Sequence, residues 1–200
     1  KLFGTALQGQ VVADLCAAPG GKTAQLASMN AEVIAVDRSA KRIQRLQENI
    51  KRLRLGYSVR TEVADAAVWK TRDPLKCILL DAPCSATGTI RRNPDVLWMK
   101  SETDISSLVE LQARLLDNAL NLLEPGGILV YCTCSLQKNE CEHQIESVLA
   151  RRADVDRVPI QASEVGGIAE FITPRGDVRI LPHFMADMGG IDGFFISRLT

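Results

Sequence analysis

The chain has 200 residues, 46% hydrophobic and 24% charged, with Lys+Arg and Asp+Glu both at 24 and a net charge of zero. That size and balance suit one soluble globular domain with a self-sufficient core, and exclude a disordered tail, a collagen-like chain and a coiled-coil rod. No apolar run approaches the roughly 18–20 residues that cross a bilayer, no signal peptide pattern is visible, and any basic footprint for a nucleic acid has to be local.

Val11–Cys16 is a short apolar run that meets a Gly-rich turn at Pro19-Gly20-Gly21, and Lys22–Met29 follows as a helix. Glu32–Val36 is a β-branched run that stops at Asp37. Ala40–Leu55 spaces Ile43, Leu46, Ile50 and Leu53 at helical intervals, with Gly56 expected to end it as the C′ glycine. Ser58–Val63 is a third strand ending near Asp65, and Cys77–Leu80 a fourth that stops at Asp81. Asp104–Leu123 is a long amphipathic helix carrying Leu108, Leu111, Leu115 and Leu122. Pro125-Gly126-Gly127 breaks it, Ile128–Cys132 is the fifth strand, and Lys138–Arg151 reads as one helix. The segment 156–190 reads as loop-rich elaboration, and Gly193–Leu199 as the clearest strand of the tail.

Strands with continuous apolar interiors alternating with helices predict an α/β fold whose parallel sheet is covered on both faces. Asp14-Cys16, Asp37, Asp65, Asp81 and Cys134 all fall at C-terminal strand ends, the edge where open α/β sheets place ligands. The loop Cys16-Ala17-Ala18-Pro19-Gly20-Gly21-Lys22 opens a helix, where backbone N–H groups can approach a ligand. A phosphate-binding P-loop is one reading, because Gly21-Lys22-Thr23 fits, but Cys16 stands where that motif needs its first glycine. A nucleoside cofactor is the other. Asp37 suits a ribose diol, Asp65 an adenine amino group, and acids at successive strand ends favour a nucleoside without a polyphosphate.

The six cysteines, at 16, 77, 84, 132, 134 and 141, include no C-x-x-C, and only two His accompany them, so no metal site is expected. Reduced thiols in the cytoplasm are the expectation. Cys84 and Cys134 end the fourth and fifth strands and border one pocket if those strands are neighbours, with Asp81 beside them to share a proton with a substrate ring nitrogen. Cys16, Cys77, Cys132 and Cys141 read as small buried hydrophobes, Cys132 on the strand face of Cys134. Trp69 and Trp98 read as packing residues, and His143 and His183 as structural.

Together DLCAAPGGKT, DAPCSATG and YCTCS, in that order, resemble the Sun/Fmu family of RNA cytosine-5 methyltransferases, specifically its bacterial 16S rRNA branch, from Val11 to the terminal GGIDGFFISRL. The resemblance implies a class I S-adenosylmethionine-dependent methyltransferase fold, Rossmann-like, with a seven-stranded, mostly parallel sheet whose last strand is antiparallel and helices on both faces. It implies that S-adenosylmethionine lies along Cys16 to Lys22, Asp37, Asp65 and Asp81. It makes Cys134 the nucleophile and Cys84 the thiol that assists breakdown of the covalent adduct. It favours an RNA grip for Arg91 and Arg92, and a cytoplasmic, monomeric catalytic domain spanning 1–200 that acts on RNA, with the family's RNA-binding domain expected before Lys1. A P-loop-like nucleotide hydrolase and a non-catalytic rRNA-binding assembly module stand as the alternatives.

Overall fold

Each apolar run of the sequence becomes a strand, and each apolar stripe a helix packed on it. The structure, a computed structural model, describes residues 2–3 and 7–200. In chain order these form β1 (Val11–Leu15), α1 (Gly21–Ser28), β2 (Glu32–Asp37), α2 (Ala40–Arg52), β3 (Val59–Val63), β4 (Leu75–Asp81), α3 (Val96–Met99), α4 (Glu102–Leu122), β5 (Leu123–Thr133), α5 (Glu142–Arg151), β6 (Val178–Ile180) and β7 (Phe194–Leu199). The strand order is β3-β2-β1-β4-β5-β7-β6. β1 runs parallel to β2 and β4, and β2 parallel to β3, while β6 and β7 are antiparallel. Among the described residues no helix is long and apolar enough to cross a membrane.

Contacts divide the chain into two compact units, one of Phe3–Asp81 with Leu115–Val130, the other of Ala82–Arg114 with Tyr131–Thr200 and Leu2. In the first, β1 is buried along Val12–Leu15, as a strand covered on both faces must be. Its register places Leu15 opposite both Val36 of β2 and Leu80 of β4, so Cys16, Asp37 and Asp81 follow at one level along the sheet edge. Ile43, Leu46 and Ile50 of α2 pack on Ala17, Ala18 and Ala35. The helix starts at Ser39, whose side chain accepts the Arg42 N–H at 3.3 Å.

That helix does not end at Gly56. Leu53 is its C-cap, Arg54 takes the left-handed conformation (φ 59°), and the Leu55 N–H bonds Ile50 O at 3.0 Å. Leu55 also packs on the Ile50 cluster. This is a Schellman end, in which the apolar contact of Leu55 holds a non-glycine residue in the turn; Gly56 opens the following 3-10 turn instead. At the end of α4 the strand begins at once, so Pro125-Gly126-Gly127 lies within β5, with Gly126 at φ 77°.

In the second unit, Tyr131 and Phe195 meet edge to face at 6.4 Å between centroids. Arg198, nearly buried, donates to Glu164 at 2.6 Å, Pro159 O at 2.7 Å and Leu2 O at 3.0 Å. Two expectations fail here. The single helix over 138–151 is a 3-10 turn, Lys138–Glu140, and α5, parted at Cys141 (φ −122°, ψ −106°), because Glu140 turns inward to bury its carboxylate. Trp98 is not a packing residue: it is 89% exposed on the four-residue α3, beside exposed Leu97 and Met99. Trp69 does pack, buried with its indole N–H on Glu62 at 2.7 Å.

Candidate active site

The glycine loop is fastened to β2 by its own backbone and by one acid. Ala17 N–H bonds Val36 O at 3.0 Å, and Gly20 N–H bonds Ala17 O at 2.8 Å. Asp37, buried, accepts the Ala18 N–H at 3.2 Å and the Ser39 N–H at 3.0 Å, and pairs with Arg42 at 3.0 Å. Arg42 also donates to Ala18 O. The loop therefore needs Asp37 for its shape. Gly20 adopts φ 97°, and a Cβ there would lie 2.8 Å from Leu46 Cγ, so α2 packs where a side chain would have been. A Cβ on Gly21, by contrast, would meet nothing within 4 Å, leaving the start of α1 open to approach.

Two further acids complete this edge. Lys22 Nζ donates to Asp81 Oδ2 at 2.7 Å, tying the first turn of α1 to the end of β4. Asp14 lies wholly buried; its Oδ2 accepts the Thr23 hydroxyl at 2.6 Å, and its Oδ1 has no hydrogen-bond partner among the described residues. Burial pushes its carboxyl up to about 7. Burial, then the charges of Asp37, Asp14 and Asp81, push the Cys16 thiol up to about 12, which makes it an inert wall. Asp65 is exposed after β3, and its Oδ1 accepts the Ala67 N–H at 2.9 Å. Its turn-forming role is thus in place, and its ligand role rests on its position alone.

In the second unit the structure brings Cys84 and Cys134 together, with Sγ···Sγ at 3.5 Å. Backbone bonds from Ala82 N–H to Cys132 O (3.0 Å) and from Gly88 N–H to Cys134 O (2.9 Å) align the two segments. The hydrogen bond with Cys134, and then burial, push the Cys84 thiol far above the ordinary thiol range. β5 stops at Thr133, so Cys134 lies past the pleat and half-exposed, while Cys132 is buried inside the strand; the expected shared face does not extend to the nucleophile candidate. Burial also pushes up Cys77, and Cys141 to about 11. None of the six cysteines is in a disulfide.

Arg91 and Arg92 lie past Cys84, half-exposed, and both face Asp192, with Arg92 Nε at 2.6 Å and an Arg91–Asp192 separation of 3.6 Å. They form an aligned basic pair. The sequence reading missed Glu140, Ser85, Ser135, Thr87 and Gln112, all buried around the thiol pair. Only the repeated Cys-Ser dipeptide, at 84–85 and 134–135, hinted at them.

Three comparisons bear on this arrangement. The family described as 16S rRNA methyltransferase RsmB/F matches residues 5–200. Ribosomal RNA small subunit methyltransferase B of Photorhabdus laumondii is 40% identical over 197 residues, which cover 97% of this chain and 43% of that protein. The chain thus spans less than half the length of that relative. The solved structure of NSun6 from Pyrococcus horikoshii with SFG is 30% identical with a TM-score of 0.79, over 95% of this chain and 47% of that one. The N-methyltransferase NodS of Bradyrhizobium japonicum, only 15% identical, has a TM-score of 0.58 over 99% of this chain and 89% of its own, a likeness of fold alone. The fold is the Rossmann-like class I methyltransferase fold, with the expected antiparallel last pairing. The chain belongs to the RsmB/F family of 16S rRNA methyltransferases.

Proposed function

We propose that this chain is the catalytic domain, spanning 1–200, of an enzyme that transfers a methyl group from S-adenosylmethionine to carbon 5 of a cytosine in 16S rRNA. The observation that carries the reading is the Cys84–Cys134 pair at 3.5 Å. Structural cysteines have no need of a partner thiol, whereas addition to and release from a pyrimidine need one sulfur to attack and a second group to manage the proton.

The first unit's residues fit the cofactor. Asp37 holds the loop and presents a carboxylate at the end of β2, where a ribose diol is recognised; Asp65 stands where an adenine amino group would donate. Asp14 Oδ1, buried and with no hydrogen-bond partner among the described residues, leaves one acceptor at the end of β1 uncommitted. Lys22 is engaged by Asp81 and Arg42 by Asp37, so the cations that a P-loop would turn toward phosphates are neutralised here. This supports a cationic nucleoside over a polyphosphate. Cys16, Ala17, Ala18, Pro19, Gly20, Gly21 and Lys22 would line it. When bound, the cofactor supplies an electrophilic methyl group.

The chain's own residues do the rest. The Cys134 sulfur forms a bond to cytosine carbon 6, and the displaced electron pair is taken up at ring N3, where Asp81 shares a proton. Carbon 5, now nucleophilic, is where the bound cofactor would give up its methyl group and leave as S-adenosylhomocysteine. A water that Cys84 orients then takes the carbon-5 proton, the C–H pair restores the ring double bond, the carbon 6–sulfur bond breaks back to Cys134, and N3 returns the shared proton to Asp81. The target base has to leave its stack to be reached, and Arg91 and Arg92, two cations sharing the one carboxylate of Asp192, keep a net positive charge to meet phosphate beside it. Thiols outside any disulfide suit a reducing compartment, the cytoplasm.

Methyl transfer from labelled S-adenosylmethionine to 16S rRNA tests this. Cys134→Ala is expected to lose activity by at least about a thousandfold, and Cys84→Ala to accumulate a denaturation-resistant RNA–protein adduct. Full activity in Cys134→Ala defeats the proposal.

A further inference from the structure

Two segments of distant sequence each place a cysteine followed by a serine, and both serines converge on a single buried carboxylate. Ser85 Oγ and Ser135 Oγ each donate to Glu140 Oε2 at 2.5 Å. Glu140 Oε1 accepts the Ser85 N–H at 2.8 Å and Gln112 Nε2 at 3.0 Å. A carboxylate has about four acceptor positions, and these four donors fill them. Glu140 is fully buried, and its backbone carbonyl accepts the Tyr131 hydroxyl at 2.7 Å, so the side chain is anchored at its root as well.

The bonds bracket the thiols. Gln112 Nε2 also donates to Pro83 O at 2.9 Å. Cys84 is thereby held from both sides, through Pro83 by Gln112 and through Ser85 by Glu140. On the other segment, Ser135 accepts the Gln137 N–H at 2.9 Å, and Thr87 Oγ1 accepts the Leu136 N–H at 2.8 Å. The hydroxyls of Ser85, Ser135 and Thr87 lie 3.1–3.3 Å from one another. The carboxylate grips the residue after each sulfur.

We propose that Glu140 is a positioning residue that sets the separation of Cys84 and Cys134 by gripping the serine that follows each, with Gln112 as its support. This rests on the methyltransferase reading for its use but not for its geometry. With the sulfurs in hydrogen-bond range, loss of a proton from one is resisted or aided by the other, so the two thiols act as a pair before substrate arrives. With the grip removed, the segments separate and the two thiols behave as independent groups. The network also explains why the segment over 138–151 is not one helix: continuing the helix would carry Glu140 away from the serines.

The test is alkylation of the folded full chain with iodoacetamide across pH 6–11, with Cys84 and Cys134 followed separately by peptide mass spectrometry. Coupled thiols titrate at two separated midpoints; uncoupled ones lose the part of the separation that each imposed on the other and draw together toward the free-thiol value of about 8.5, short of it by what burial adds. The parent is expected to show the split, and Glu140→Ala to lose it. Glu140→Gln is expected to keep it, because an amide can accept the Ser85 N–H while the hydroxyls reverse direction. Turnover of Glu140→Ala should fall at least tenfold, with the KM for S-adenosylmethionine within threefold of the parent. If Glu140→Ala does not fold, Ser85→Ala combined with Ser135→Ala removes the same grip and should converge the midpoints equally. A folded variant that keeps the parent's split, or a parent without one, overturns the proposal. An intact split in a protein whose Cys134→Ala variant still methylates RNA would instead sink the functional reading and leave the positioning role standing.

Discussion

Asp14→Asn should make the protein more stable at pH 8, although it removes a fully buried charged group. The carboxyl of Asp14 stands at about 7 rather than 3.8, chiefly through burial, with one oxygen unpartnered. Between about pH 4 and pH 7 the folded chain therefore holds a proton that the unfolded chain has released. Stability from this group is complete at the acid end and is lost as the pH rises through that window. A displacement of about three pKa units corresponds to about 4 kcal/mol at most, or about 8–16 °C in Tm for a chain of this size. An asparagine is neutral throughout and can still meet the Thr23 hydroxyl. Urea unfolding of both proteins followed by circular dichroism, from pH 5 to pH 8, isolates the effect as the difference between them, since the other titrating groups are shared. The variant's advantage over the parent should grow by about 2.5 kcal/mol between pH 5 and pH 8. A difference that is flat with pH, or that favours the parent at pH 8, would refute the assignment.

Asp37→Asn leaves one acceptor where the loop uses two, so Kd for S-adenosylmethionine by calorimetry should rise tenfold to about 150-fold, the worth of one charge-assisted hydrogen bond; a Kd within threefold of the parent removes Asp37 from the cofactor site. Gly88→Ala puts a Cβ 2.1 Å from Gly193 O and 2.8 Å from Cys134 O, both backbone. It should cost about 3 kcal/mol or more in denaturant, and a cost under about 1 kcal/mol contradicts the close approach described. Arg91→Ala with Arg92→Ala should weaken RNA binding without regard to sequence and flatten the dependence of log K on log salt by about 1.4 for a single strand; an unchanged slope places these arginines away from phosphate.

Local chemistry made most of the fold legible. Val33–Val36 and Cys77–Leu80 announce buried strands by unbroken apolar character, and Ile43, Leu46 and Ile50 announce a helix by their spacing. The glycine loop and both Cys-bearing motifs were legible because each is a contiguous string. Glu140 was not, because nothing within the run Lys138-Asn139-Glu140 marks an acid as buried; its partner Ser85 lies 55 residues away. Arg54 as the left-handed residue was masked by Gly56, the more obvious candidate, since the deciding contact is Leu55 on the Ile50 cluster. Trp98 misled for the opposite reason: a large apolar residue is read as core unless the fold leaves its element uncovered.

The two tryptophans are consequently a built-in pair of optical reporters. Trp69 belongs to the first compact unit and is 7% exposed, whereas Trp98 belongs to the second and is 89% exposed. Trp69 should emit to the blue and resist iodide, while Trp98 should emit to the red and be quenched. Melting of the first unit will then be followed through the unquenched emission. Docking of a partner onto α3 will be seen as protection of Trp98 from iodide, with no label introduced into the chain.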